Sequence, residues 1–195
     1  MTKRKIGIIG AGNVGKALAR GLQRAGHEVR PVGNDEGAVR ETAAWADDVI
    51  LAVPYRAIDD AVREAGEALD GKTLIDATNA LDKDMNLAVG FTTSGAEELQ
   101  RKVPKAKVVK AFNTVFAEHM DTGRLHDEPL TAFVAGDDSA AKREAMELAR
   151  DIGFDPVDAG PLKNARLIEP LAYLNIQLGY GQKMGKDIGI GLLRG

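Results

Sequence analysis

Residues 5–22, KIGIIGAGNVGKALARGL, decide the fold of this chain. A short apolar run leads into glycines at positions 10, 12 and 15, and apolar residues at helical spacing follow. A strand that ends in this glycine pattern and passes into a helix is the fingerprint of a dinucleotide-binding turn. Gly10 permits the tight turn, Gly12 lets the backbone approach a pyrophosphate, and Gly15 allows helix and strand to pack closely. The alternative is a glycine-rich turn without a ligand.

We expect this turn to hold the cofactor phosphates, because a helix N-terminus presents free amides and a positive dipole end. The register of strand, glycines, helix and second strand favours the phosphate site over an ordinary turn. The residues assigned to the site here are Gly10, Ala11, Gly12, Asn13, Val14 and Gly15.

The rest of the chain alternates short apolar runs with longer stretches of helical period. This alternation is typical of an α/β fold with a mainly parallel sheet. The stretch at 48–54, which is apolar after Asp48, indicates a strand that is covered on both faces. The predicted strands are 5–10, 27–33, 48–54, 72–78, 107–113, 130–136 and 155–160, and the predicted helices are 15–26, 36–46, 55–69, 94–103, 137–153 and 164–180.

Pro31 constrains the order of these strands. A proline cannot donate a hydrogen bond to a neighbouring strand, so the second strand should lie at an edge of the sheet. We therefore predict a Rossmann-type, doubly wound, mainly parallel sheet with a shortened segment after the second strand and a C-terminal helical extension. No linker interrupts the chain, so residues 1–195 should form one domain, with a nucleotide-binding core over about 1–136 and a C-terminal strand-helix part over about 137–195.

Composition excludes several classes of protein. The chain has 26 basic and 29 acidic residues, which are spread along it, so nucleic acid is not expected as a partner. It has no cysteine, and His27, His119 and His126 lack the spacing of a helical metal pair, so we expect no metal. No apolar run approaches the length of a membrane span, and no signal sequence is recognisable. We expect a cytoplasmic protein that does not bind membranes.

The end of the second predicted strand should contact the adenosine ribose, where the sequence has Asn34 and Asp35. A carboxylate there can accept hydrogen bonds from a ribose 2'-hydroxyl and would repel a 2'-phosphate, which favours NAD. Arg30 and Arg40 lie nearby in the sequence and are candidate phosphate ligands, so NADP stays open. Asn34 and Asp35 can also simply cap the following helix.

The predicted strand ends offer no obvious proton donor for carbonyl reduction. Lys110 lies within its strand, Asn79 and Asn113 cannot titrate, and Tyr55 follows a proline and is more suited to packing on the nicotinamide. We therefore assign no catalytic acid or base. Hydride transfer between two coenzymes needs only stacked rings in a dry cleft, so two-coenzyme chemistry fits these residues better.

Five segments together resemble the NADP oxidoreductases that depend on the deazaflavin coenzyme F420, and also the cytosolic domain of the six-transmembrane ferric reductases. The resemblance extends over nearly the whole chain. The segments are GIIGAGNVGKALARGL at 7–22, VILAVPY at 49–55, VVKAFNT at 108–114, DAGPLKNARLIEPLAYLNI at 158–176 and GIGLL at 189–193.

The resemblance implies NADP(H) as the first coenzyme, F420 or a flavin (FMN or FAD) as the second, and a homodimer or higher homo-oligomer. It implies that residues 137–195 close the pocket of the second coenzyme. Beside the ribose candidates Asn34 and Asp35, the residues it adds to the first coenzyme site are Val53, Pro54, Tyr55, Asn79, Phe112 and Asn113, and those of the second pocket are Thr114, Val115, Phe116 and Leu192.

This sequence departs from the family pattern at three places, one of which is the shortened segment after the second predicted strand. The family commonly has Ser-Arg where this chain has Asn34 and Asp35, which keeps NAD(H) open beside NADP(H). The F420 enzymes have a histidine where this chain has Asn113, which keeps a flavin open beside the deazaflavin.

Two other functions remain as alternatives at this point. One is reduction of a small imine or carbonyl substrate, which would require a proton donor that the sequence does not reveal. The other is a non-catalytic nucleotide-sensing module, which would bind a dinucleotide without turnover. Leucines 167, 171, 174 and 178 line up along the last predicted helix and indicate packing in the core or in a subunit interface, in preference to coenzyme binding.

Overall fold

The computed structural model describes residues 2–33, 35 and 37–195. Within these residues, six α-helices and nine strands follow one another in the order that the sequence predicts, with one additional short hairpin. The strands are β1 Lys5–Ile9, β2 Glu28–Val32, β3 Asp48–Leu51, β4 Thr73–Asp76, β5 Lys107–Lys110, β6 Arg124–Leu125, β7 Glu128–Pro129, β8 Thr131–Gly136 and β9 Asp155–Asp158. The helices are α1 Asn13–Arg24, α2 Ala38–Trp45, α3 Ile58–Ala65, α4 Gly95–Lys102, α5 Ser139–Ile152 and α6 Ala165–Ile176.

Seven strands form one sheet in the order β2-β1-β3-β4-β5-β8-β9. The first five run parallel, β8 is antiparallel to β5, and β9 runs parallel to β8. Helices cover both faces, so the predicted Rossmann-type, doubly wound fold is confirmed. The predicted edge position is also confirmed: β2 is the terminal strand, and Pro31 pairs with Ile8 on its one neighbour.

The core has one cluster on each face of the sheet. On one face Ile6 and Ile8 of β1 pack with Leu18 and Leu22 of α1 and with helix α5. On the other face, the alternate residues of the same central strands pack with α2, α3 and α4. Because both faces are covered, β3 and β4 are buried throughout, including the polar residues at their ends.

Two of the predicted helices are interrupted by turns of a different helical type in the structure. The predicted helix 55–69 consists of a 3-10 turn at Tyr55–Ala57, then α3, then a second 3-10 turn at Gly66–Leu69. Gly66 has φ of +55°, which ends the α-helix because that backbone conformation favours glycine. The predicted helix 164–180 is α6 followed by a wider π-helical turn at Gln177–Gly181. None of the helices described is long and apolar enough to cross a membrane.

Candidate functional site

At two positions of the glycine turn between β1 and α1, neighbouring backbone atoms lie too close to leave room for a side chain. Gly10 has φ of +120°, and a Cβ there would lie 2.2 Å from the carbonyl oxygen of Ala52. A Cβ on Gly15 would lie 1.8 Å from the carbonyl oxygen of Gly10. A Cβ on Gly12, in contrast, would have no atom within 4 Å. Gly10 and Gly15 thus shape the turn, and Gly12 leaves its backbone open to an approaching ligand.

The N-terminus of α1 has the features of an anion site. Gly12 is the N-cap residue, no side chain in the described part of the chain caps the helix, and the first turn carries no acidic residue. The first amides of the helix are therefore left free, and the positive end of the helix dipole is not neutralised locally. With the open Gly12, this arrangement fits the phosphates of a dinucleotide.

A cavity of about 360 Å³ opens beside this turn, at the carboxyl ends of β1, β3 and β4. In an open α/β sheet this edge is where ligands bind. The structure brings together here seven of the residues predicted for the first coenzyme site, namely Gly12, Asn13, Val14, Val53, Pro54, Tyr55 and Asn79.

A second cavity of about 270 Å³ adjoins the first. Asn113, Val115 and Phe116 line it from the loop after β5, and α6 contributes Ala172, Asn175 and Ile176 from the opposite side. The Phe116 and Tyr180 rings meet edge to face, with 5.8 Å between their centroids. Both cavities are lined by Asn13, Val14, Asn79, Leu81 and Met85, so they share a wall.

Asn113 lies at this junction in a buried position. Its Nδ2 is 3.4 Å from Asn79 Oδ1, and its Oδ1 has no hydrogen-bond partner among the described residues. The preceding residue, Phe112, has φ of +69°, a strained conformation for a bulky residue. Strain of this kind is found at sites where the surrounding structure fixes one side-chain direction. Asn113 thus offers a buried acceptor in the second cavity, next to Asn79, which lines both cavities.

Tyr55 lines the first cavity but its hydroxyl points to α4, where it donates a hydrogen bond to Glu98 Oε2 at 2.5 Å. Partial burial and the neighbouring Glu98 carboxylate raise the pKa of Tyr55 above its ordinary value. The hydroxyl is therefore protonated at neutral pH and engaged with Glu98. The ring, and not the hydroxyl, is what Tyr55 presents to a ligand.

Sequence reasoning missed a buried ionic cluster behind the junction. The Nζ atom of Lys110 lies 3.0 Å from Asp76 Oδ2 and 3.3 Å from Glu169 Oε1, and it donates to the carbonyl of Thr78 at 2.6 Å. All three charged side chains are buried. Burial lowers the pKa of Lys110, but attraction by the two carboxylates outweighs it and holds the pKa above its usual range. Lys110 is therefore a permanent cation that positions its neighbours.

Glu169 gives this cluster a further connection. Its carboxylate accepts hydrogen bonds from the backbone amides of Gly95 at 2.8 Å and Ala96 at 3.1 Å, at the start of α4. Asp76 also accepts from the amide of Thr78, next to Asn79 in the cavity wall. The signal in the sequence was a charged residue at the end of each of two adjacent strands, Asp76 and Lys110, which pair in register.

The described residues that were predicted near the adenosine ribose do not line either cavity. Asp35 is exposed, and Asn34 lies outside the described residues. Arg30 lies over the Trp45 ring, with its guanidinium carbon 3.9 Å from the ring centroid, and Arg40 donates to the carbonyl of Glu64. Both arginines proposed as phosphate ligands are therefore engaged with protein groups.

The remaining predicted residues are not among the lining residues of either cavity. Ala11 belongs to the glycine turn, and Phe112 is buried against Phe154. Thr114 is buried, and its carbonyl accepts a hydrogen bond from Asn175. Leu192 lies on the C-terminal tail, where its amide donates to Thr131 of β8. Within the described residues, no three histidine or acidic side chains are grouped so that they could hold a metal ion.

Comparison with known proteins reveals relatives over almost the full chain. The family described as NADP oxidoreductase, coenzyme F420-dependent, matches residues 5–80, which include the glycine turn and the ends of β3 and β4. The F420-dependent NADP reductase of Methanothermobacter thermautotrophicus is 33% identical over 184 residues, covering 89% of this chain and 77% of that protein. This chain belongs to the coenzyme F420-dependent NADP oxidoreductase family. The predicted resemblance is confirmed.

A solved structure supports the membership of this F420-family chain. A candidate F420-dependent NADP reductase from Arthrobacter sp. FB24 is 32% identical, with a TM-score of 0.89, and the match covers 98% of this chain and all of the other. The metalloreductase STEAP3 of Rattus norvegicus is 30% identical over 180 residues, which cover 86% of this chain and 36% of that protein. The chain thus spans about a third of the length of the metalloreductases that it matches.

Proposed function

We propose that this F420-family chain is an NADPH-dependent reductase whose second cavity holds a deazaflavin or flavin ring as hydride acceptor. The observation that carries this proposal is the wall shared by the two cavities, from Asn13 and Val14 on one side to Asn79, Leu81 and Met85 on the other. Two rings that lie in adjoining cavities can meet without a covalent link through the protein. One large substrate pocket would not need this division.

The residues of the first cavity fit a nicotinamide dinucleotide. Gly12 and the free amides of α1 suit its pyrophosphate, since a Cβ at Gly12 would occupy the open approach to those amides. The unpartnered Oγ1 of Thr78 in this cavity, and the unpartnered Oδ1 of Asn113 in the adjoining second cavity, are buried acceptors that suit an amide donor such as the nicotinamide carboxamide. When bound, this coenzyme supplies a hydride.

The chain's own contribution to the reaction is positioning. Val53, Pro54 and the Tyr55 ring give one cavity an apolar wall, and Val115 and Phe116 do the same for the other. These side chains orient flat rings and exclude water from the junction. Among the described lining residues there is no histidine, and the Tyr55 hydroxyl is engaged with Glu98. This arrangement favours transfer between coenzymes over reduction of an imine or carbonyl.

The nature of the second ring and of the nucleotide is part of this proposal. Family membership favours F420 as acceptor and NADP(H) as donor, and the metalloreductase relatives keep a flavin, FMN or FAD, as an alternative acceptor. The exposed Asp35 keeps NAD(H) as an alternative donor. Binding measurements with each nucleotide and each acceptor compare these alternatives directly.

We extend the proposal to the C-terminal part and to assembly. Residues 137–195 contribute α6 and the π-helical turn to the second cavity, which supports their role in closing it. Leu167 and Leu174, one above the other on α6, are 69% and 54% exposed. Packing in the core is therefore wrong for these two leucines, and a homodimer interface on this face stays our prediction, as does a cytoplasmic location.

The test is an anaerobic assay in which NADPH and NADH are offered in turn with F420, FMN or FAD. The proposal expects bleaching of at least one of these acceptors at a rate proportional to protein concentration. Bleaching of F420 supports the family activity, and bleaching of a flavin alone indicates a flavin-linked reductase. Nucleotide binding without bleaching of any acceptor would contradict the proposal and favour a nucleotide-sensing module.

The variant Asn113→Leu provides a second, independent measurement. It removes the unpartnered Oδ1 and keeps the branched shape of the side chain, at a position where the adjoining cavity can accommodate the bulkier methyl groups, so the fold should remain intact. If Asn113 contacts the nicotinamide, this variant should weaken NADPH binding about five-fold or more, which corresponds to the loss of one hydrogen bond. Unchanged binding in a folded variant would remove Asn113 from the nucleotide site.

A further inference from the structure

A third, shallow cavity of about 280 Å³ lies between α1 and the 3-10 turn Ala117–His119. Its lining residues are Asn13, Lys16, Arg20, Ala117 and Glu118. Three of these, Asn13, Ala117 and Glu118, also line the second cavity. The third cavity is therefore a groove that leads out of the second cavity along the side of α1, and we call it the α1 groove.

The α1 groove carries excess positive charge. Lys16 and Arg20 are four residues apart on α1 and so lie on the same face of the helix. No carboxylate of the described residues lies within salt-bridge distance of Lys16, whereas Arg20 Nε donates a hydrogen bond to Asp121 Oδ2 at 3.3 Å, so Lys16 is the cation of the groove without a described counter-charge. The carboxylate of Glu118 is already paired with Lys186 at 2.6 Å.

This local excess contrasts with the charge of the whole chain. The formal net charge of the protein is -3, so an anion gains nothing from general attraction to its surface. An anion in the α1 groove would instead meet two cations that lie next to the proposed acceptor cavity. The first cavity has its own phosphate-binding turn. Gly12 and the ends of β3 and β4 line that cavity and do not line the α1 groove.

We propose that the α1 groove binds the phosphate of the acceptor's side chain while the acceptor ring lies in the second cavity. FMN and coenzyme F420 share this chemistry, because both carry a phosphate ester at the end of a ribityl chain on the ring. From Asn13, in the wall of the second cavity, to Arg20 is about 10 Å along the helix axis, a distance that a ribityl chain with its phosphate can span. This inference rests on the proposed function.

The test measures equilibrium binding with pairs of acceptors that differ only in the phosphate-bearing part. The probes are FMN against riboflavin, and F420 against the ribityl deazaflavin that lacks the phosphate, each followed by quenching of ring fluorescence. The variants are Lys16→Gln and Arg20→Gln, and the matched control is Arg63→Gln, which removes an exposed charge from α3. The same samples are titrated with NADPH.

We expect each groove variant to raise the Kd of the phosphate-bearing acceptor about five-fold and to leave the Kd of its phosphate-free partner unchanged. The variant Arg63→Gln should change neither. Raised salt should weaken binding of FMN or F420 more than binding of the phosphate-free rings. The pair that shows the larger effect identifies which of the two acceptor classes the groove serves.

Three results would overturn the inference, and each is distinguishable. Equal weakening of both members of a pair, or of neither, would show that Lys16 and Arg20 do not contact the phosphate. Weaker binding of NADPH in the same variants would assign the groove to the nucleotide and leave the proposed function intact. If no ring binds and no acceptor is bleached by the unmodified protein, the proposed function fails together with the inference.

Discussion

Asp76 and Lys110 face each other across two adjacent parallel strands, with 3.0 Å between Oδ2 and Nζ, and neither side chain is exposed to solvent. Glu169 of α6 reaches the same ammonium and also accepts hydrogen bonds from the first amides of α4. One buried cation thus links the sheet, the start of α4 and the helix that lines the second cavity. A buried charge of this kind is costly unless its partners are all present.

Replacement of Lys110 by methionine should strongly destabilise the protein. The variant would leave two buried carboxylates without a counter-charge, and we expect a loss of about 3–5 kcal/mol in the free energy of unfolding. The measurement is urea unfolding of both proteins. The matched control is Lys107→Met, because Lys107 is exposed on the same strand and its salt bridge to Asp138 should contribute no more than about 1 kcal/mol. Equal losses in the two variants would contradict the role of the cluster.

Substitutions at two glycines of the turn should distinguish a loss of stability from a loss of nucleotide binding. Gly12→Ala meets no atom within 4 Å and costs about 1 kcal/mol at an N-cap position, so the variant should fold. The added methyl group occupies the approach to the free amides, and we expect the Kd for NADPH to rise about ten-fold or more, the loss of a close backbone contact with phosphate. Thermal unfolding and nucleotide titration check the two effects.

Gly15→Ala is the counterpart of this variant. Its Cβ would lie 1.8 Å from the carbonyl oxygen of Gly10, and because backbone must move, we expect a lower midpoint of unfolding. A Gly12→Ala protein that binds NADPH as tightly as the unmodified chain would show that the pyrophosphate lies elsewhere. A Gly15→Ala protein of unchanged stability would show that the turn can open without cost.

Asp35 should influence the choice between the two nucleotides. If its carboxylate repels the 2'-phosphate, Asp35→Ser should shift relative binding towards NADPH by about 1 kcal/mol or more. The ratio of the Kd values for NADPH and NADH measures this shift, and Asp60→Ser, at an exposed carboxylate of α3, controls for the change in net charge. A ratio that stays constant in Asp35→Ser would remove Asp35 from the ribose site.

Asp48 should give the protein a measurable dependence of stability on pH. Burial raises the pKa of this carboxyl to about 6, against the attraction of Arg4, and repulsion by Glu144 adds to the effect. The folded state then holds a proton that the unfolded state has released. The contribution of Asp48 to the free energy of unfolding therefore falls as pH rises from about 4 to about 6, by at most about 3 kcal/mol, and is constant at higher pH.

The variant Asp48→Asn isolates this contribution. The difference in free energy of unfolding between the unmodified protein and Asp48→Asn should decrease across that pH range and then level off. A difference that grows with pH would mean that the salt bridge with Arg4, 2.6 Å long, keeps the pKa of Asp48 below its ordinary value.

Much of the fold was predictable because its signals are local. The glycine spacing between β1 and α1, the alternation of strands and helices, and the edge position of Pro31 each depend on the backbone of a few adjacent residues. The break at Gly66 was harder to predict, because the apolar spacing of 55–69 suits one continuous helix. A pattern of side chains does not report the φ angle at which a helix ends.

The first cavity was largely predictable, since its residues follow strand ends whose edge of the sheet is known once the strands are parallel. The role of Lys110 was not, because its partner Glu169 comes from a helix far along the chain. Position within a strand indicated only that Lys110 could not reach a substrate. It did not indicate that the side chain was a buried cation between two carboxylates.

The sequence by itself determined the order of strands and helices, the glycine turn and the family to which the chain belongs. Only the tertiary structure decided that two cavities share a wall, that α6 closes one of them and that Lys16 and Arg20 lie beside it. The physical reason is the distance along the chain over which each kind of interaction acts. Dihedral preferences and apolar periodicity act between neighbours in the chain, whereas a cavity and its charges arise from packing of segments that are distant in sequence.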